Sequence, residues 1–162
     1  MPEHLKSIHS SLTLEAAEKI IDAALAARRN EGLMPLVVAV LDAGGALVAY
    51  KREDGSGLLR FDIAFGKAWG SLGMGMSTRL IRDRLAQRPA FQGALGTAAD
   101  GRFIPVPGGV LILDAKGIAI GAVGVSGDAS DKDEYAAIEG IRAAGFGSEP
   151  AEPNPEWRKA GL

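Results

Sequence analysis

The chain of 162 residues has no cysteine, only two histidines and just 6% aromatic residues. Without thiols there is no disulfide framework, no thiolate metal site and no cysteine nucleophile. Both histidines, His4 and His9, precede the first predicted helix. No zinc motif is therefore available, and a Ser–His–Asp site would have to recruit a terminal histidine. Apolar runs are short and broken by glycine, so none is long enough to span a membrane. Basic residues form no long block and the formal net charge is -2, which argues against an electrostatic grip on nucleic acid. Phosphate loops and dinucleotide fingerprints are missing too: Gly121, Gly124 and Gly127 recur every third residue, the wrong spacing for either. The opening MPEHLKSIHSSL shows no basic-then-apolar signal pattern, so the expected location is the cytoplasm.

What is present suits one domain with its own core, at 47% hydrophobic residues. Residues 1–12 read as an extension, 13–147 as an α/β domain and 148–162 as a proline-rich tail. Thr13 to Arg29 has helical spacing, with Leu14, Ala17, Ile20, Ile21, Ala24 and Leu25 on one face and Thr13 as cap. Leu36–Leu41 is a continuous apolar run, the pattern of a buried strand. Asp42-Ala43-Gly44-Gly45 turns it into a second strand, Ala46–Lys51. The same turn chemistry returns at Asp114-Ala115-Lys116-Gly117, between Val110–Leu113 and Ile118–Val125.

Leu58–Met76 reads as a helix rich in glycine. Gly66, Gly70 and Gly73 lie along one side, which implies that another backbone comes close. Ser77 or Thr78 caps a short basic helix ended by Pro89. Pro89–Gly109 reads as a loop and not an element. Asp131 to Ala144 is the last predicted helix, with a capping-box-like start at Ser130-Asp131-Lys132-Asp133. In the tail, Trp157 is expected to dock on the body or on a neighbouring copy.

Two segments carry the candidate site. Phe103, Pro107, Gly108 and Gly109 belong to a proline-stiffened loop that can wall an apolar pocket. Ser126, Gly127, Asp128 and Glu134 sit at a strand-to-helix corner, whose N–H groups and helix dipole suit a carboxylate or similar anion. Lys67, in the glycine-rich helix, can hold an anion or pair with Glu134, and a solvated lysine is the competing reading. Acids at a helix start also serve as caps, which is the structural alternative for Asp128, Asp133 and Glu134.

In order along the chain, Asp42-Ala43-Gly44-Gly45, Lys67-Ala68, Pro105-Val106-Pro107-Gly108-Gly109-Val110, Gly121-Ala122-Val123-Gly124-Val125-Ser126-Gly127 and Asp133-Glu134 resemble the GlcG/HbpS family of haem-binding-type proteins. The same module resembles the C-terminal domain of PduO-type corrinoid adenosyltransferases. The resemblance spans about Leu12 to Ala144. It implies a single α/β domain with an antiparallel sheet of roughly five strands flanked by helices, profilin-like. It also implies a homo-oligomer, from dimer upward, and haem or another small-molecule ligand beside a catabolic pathway. No axial haem ligand is carried over, because neither His4 nor His9 lies in a matching motif.

Two functions follow as expectations. One is a binding protein for haem, a related cofactor or a small metabolite. The other is an isomerase or lyase for a small organic acid, in which Lys67 or an arginine holds the carboxylate and Asp128 or Glu134 moves a proton. For neither is nucleic acid or membrane expected as a partner.

Overall fold

The structure is a computed structural model, and it describes residues 2–162. Five strands form one antiparallel sheet in the order β2-β1-β4-β3-β5. The strands are β1 (Val37–Asp42), β2 (Leu47–Arg52), β3 (Gly109–Leu113), β4 (Ala119–Ser126) and β5 (Gly147–Glu149). Helices α1 (Leu14–Glu31) and α5 (Ser130–Ala143) cover one face and α2 (Leu59–Met74) the other. Two shorter helices, α3 (Thr78–Leu85) and α4 (Pro89–Ala98), lead from α2 back to the sheet. The antiparallel α/β domain expected from the sequence is the one observed.

Because both faces are covered, the central strands are apolar at successive positions and do not alternate with polar residues. Val38, Val40, Val123 and Val125 join Ile20, Ile21, Ile138 and Ile141 on the α1/α5 side. Leu41, Leu111 and Ala122 pack with Ala68 on the α2 side. Gly124 also faces α2: a Cβ there would collide with the carbonyl oxygen of Ala64, so the glycine lets α2 rest on the strand backbone.

Both hairpins use one device. Asp42 Oδ1 accepts from the N–H groups of Gly44 and Ala46, and Asp114 Oδ1 accepts from those of Lys116 and Ile118. Gly45 and Gly117 take positive φ, +83° and +78°.

Several expectations need correction. Pro89–Ala98 is helical, with Pro89 opening α4, because proline fits the first turn of a helix as readily as it stops one. Leu14 is exposed, since it stands at the first helical position before α1 has reached the core. Ser130 lies inside α5, whose cap residue is Ala129. A fifth strand follows α5, where only a tail was expected, and it pairs with β3. Of the two places expected for Trp157 the body is the one it takes: it is buried, stacks on Tyr135 at 3.9 Å and leaves no exposed face for a neighbour.

Candidate functional site

The end of β4, the start of α5 and the middle of α2 meet around one buried ion pair. Lys67 Nζ donates to Asp133 Oδ2 at 2.9 Å and to the Val125 carbonyl at 2.8 Å. Asp133 Oδ1 accepts from the Asp128 N–H at 3.0 Å. Both side chains are almost fully buried. Burial pushes Lys67 down and Asp133 up from their ordinary pKa values, and their contact with each other opposes both shifts. Lys67 is thus neither solvated nor paired with Glu134; its partner is the preceding acid, one position round the helix.

The other sequence-selected residues form the shell of this pair. Gly108 has φ +118°, and a Cβ there would lie 2.8 Å from Lys67 Nζ. The Gly109 N–H donates to Thr78 Oγ1 at 2.8 Å, and a Cβ at Gly109 would collide with the Lys67 carbonyl. What approaches these glycines closely is α2. Pro107, Ser126 and Gly127 are buried, and Ser126 Oγ accepts a long contact from Arg60 at 3.4 Å. Asp128 Oδ2 accepts from the Met34 N–H and Oδ1 from the Ala129 N–H, interactions that draw its pKa down against burial. The N–H groups of Asp128 and Ala129 are therefore occupied by the chain's own carboxylates and do not face solvent.

Glu134 is fully buried and neither carboxylate oxygen has a hydrogen-bond partner. Its nearest cation is Arg79, with Nε 3.4 Å from Oε1. Burial pushes its pKa up to about 7; Arg79 and Arg82 oppose the shift, while Asp131 and Glu149 add to it.

Phe103 belongs to a different environment. It packs over Gly70 of α2, where a Cβ would come within 3.1 Å of its ring, and it walls an apolar cleft of about 170 Å³ between α2 and α4. Trp69, Gly73, Met74 and Leu95 complete most of that cleft. Met74 also lines a second cleft, of about 130 Å³, with Met76, Ile81, Arg84, Arg88 and Phe91. Arg84 and Arg88 put cations on the second cleft, Arg88 over the Phe91 ring at 4.6 Å, while Arg102 lies over the Trp69 ring at 4.4 Å and lines a separate opening with Phe61 and Phe65. The sequence reading missed the α4 side of this feature. Its signal was the Leu95, Ala98 and Ala99 spacing, concealed by the glycines that made the segment look like a loop.

A family model described as haem degrading protein HbpS-like matches residues 12–142. The chain belongs to the HbpS-like family. A 15.0 kDa protein from the dhaT-dhaS intergenic region of Citrobacter freundii is 31% identical over 128 residues, covering 79% of this chain and 88% of that one. Among solved structures, a PduOC:heme complex superposes with TM-score 0.75 at 25% identity, over 85% of this chain and 98% of that one. An HbpS double mutant of Streptomyces reticuli gives TM-score 0.71 at 32% identity, over 90% and 94% of the two chains. The Klebsiella pneumoniae protein ORFY gives 0.73 at 26% identity, over 89% and 97%. No helix among the described residues is long and apolar enough to cross a membrane.

Proposed function

We propose that this HbpS-like protein binds haem, or a closely related tetrapyrrole, on the surface formed by the two clefts that meet at Met74. The observation that carries the reading is the pairing of an apolar floor with a cationic rim. Trp69, Phe103 and Leu95 offer apolar contact in the first cleft, while Arg84 and Arg88 in the second are the cations for propionate carboxylates. The haem complex of the PduOC relative supports the same ligand class.

The residues fit such a group as one face of its site. The clefts are smaller than the roughly 300–1,000 Å³ of an enclosing ligand pocket. A flat macrocycle would therefore rest across them, its opposite face covered by a second copy of the chain. Bound haem would supply an iron centre for ligand or electron exchange. The chain's own tasks are to exclude water from one face, orient the ring against Trp69 and neutralise its carboxylates. Lys67, Gly108, Gly109, Ser126, Gly127, Asp128 and Asp133 act behind this surface as its frame, holding the loop that presents Phe103.

No observation favours the isomerase or lyase reading. The Asp128 carboxylate already accepts two backbone N–H groups, and Glu134 is sealed between elements.

Haemin titration tests the proposal. A sharpened, shifted Soret band that saturates at a fixed stoichiometry is expected, with sedimentation of the saturated complex at the mass of a dimer or larger. Leu95→Glu should weaken binding by tenfold or more and leave the fold intact. A linear, unsaturable absorbance change would refute it.

A further inference from the structure

The start of α3 and the C-terminal tail together cover one buried acid. Arg79 of α3 reaches Glu134 of α5 with Nε at 3.4 Å, and its Nη2 donates to the Glu152 carbonyl of the tail at 2.9 Å. Ser77, the cap of α3, donates both its N–H and its hydroxyl to the Glu149 carboxylate on β5. Charged groups from the packed elements face Glu134: Lys67 from α2, Arg79 and Arg82 from α3, Asp131 from α5 and Glu149 from β5. Three attract a charge there and two repel it. Neither oxygen of Glu134 has a hydrogen bond, whereas buried polar atoms are nearly always paired.

A buried carboxyl with no hydrogen bond, its one close cation 3.4 Å away, costs more to bury ionised than neutral. Opening the cover would return Glu134 to water, where the charged form is cheap. Ionisation and opening are therefore linked, and each favours the other.

We propose that Glu134 is a proton-operated bolt between α3, α5 and the C-terminal tail: protonated, it leaves them docked, and ionised, it drives α3 and the tail away from α5. Burial raises its pKa to about 7, so docking weakens from the ordinary carboxylate range upward and the weakening is complete near neutrality. Because Ile81 and Arg84 of α3 line the second cleft, the bolt also regulates the ligand surface. That last step rests on the reading of the clefts; the bolt itself does not.

Backbone amide exchange of the full chain without ligand, corrected for intrinsic rates, tests it between about pH 5 and about pH 9. Protection of α3 and of residues 147–156 should fall as pH rises toward about 7 and level off above it, where the closed form is ionised as well as the open one. Glu134→Gln should remove the step and keep the protected state throughout. Arg79→Gln removes the cation that lowers the Glu134 pKa, so its step should move to higher pH. A pH-independent wild-type pattern, or a step that survives in Glu134→Gln, overturns the bolt. Haemin titrated at pH 6 and pH 8 extends the test: wild type should weaken several-fold at the higher pH relative to Glu134→Gln. Equal ratios overturn the link to the clefts. If haemin fails to bind at either pH, the cleft reading falls and amide exchange alone decides the bolt.

Discussion

At the scale of single residues, the buried Lys67–Asp133 pair does more to unite the molecule than any surface ion pair. It joins α2 to α5 and spends its remaining bonding capacity on the Val125 carbonyl and the Asp128 N–H. Such a pair adds little compared with well-packed apolar residues, but removing one member strands the other. Lys67→Met should therefore cost about 3–5 kcal/mol, read from urea unfolding. A loss below about 1 kcal/mol would mean that the pair is no better than an exposed one. Sequence alone singled out Lys67 and the acids of α5 but paired the lysine with Glu134, where the structure pairs it with Asp133. Asp133 and Glu134 are adjacent, and the roughly 100° between neighbouring helical residues sends one toward α2 and the other toward α3. Only the placement of α5 against both helices decides between them.

At the scale of elements, the glycines divide into those that permit close packing and those that do not. Gly124 of β4 lies against the backbone of α2, so Gly124→Ala should cost about 3 kcal/mol or prevent folding. Gly96 of α4 has nothing within 4 Å of a built Cβ. Gly96→Ala should raise stability by about 0.5–1 kcal/mol, because alanine is the better helix former. Paired thermal melts check both; equal effects would contradict the layered packing. The hairpins, α1 and α2 were legible because their signals are local: apolar period, Asx-type turns and a threonine cap. Helix α4 was not, because Gly93 and Gly96 weaken its helical signature and its partners lie elsewhere in the chain. Nor was β5, whose three residues become a strand only by pairing with β3.

At the scale of the whole molecule, the sheet with helices on both faces acts as a rigid frame, and the proposed ligand surface lies outside it. The loop 102–109 connects the two: Gly108 and Gly109 are anchored beside Lys67 and Ser71, while Phe103 and Ile104 lie along the glycines of α2. The sequence pointed to Phe103 but placed its pocket toward Ser126 and Glu134. The bulk that forms the apolar cleft comes from α2 and α4, a contact that no local pattern encodes. Trp69 on the cleft and Trp157, which stacks on Tyr135 of α5, are the only tryptophans in the chain, so Trp69 emission alone can be followed during binding. The direct test is haemin quenching of Trp69 emission in a Trp157→Phe variant. Haem on the proposed surface should quench that emission almost completely, saturating together with the Soret change. Saturable haemin binding that leaves Trp69 emission largely intact would place the ligand elsewhere and contradict the account.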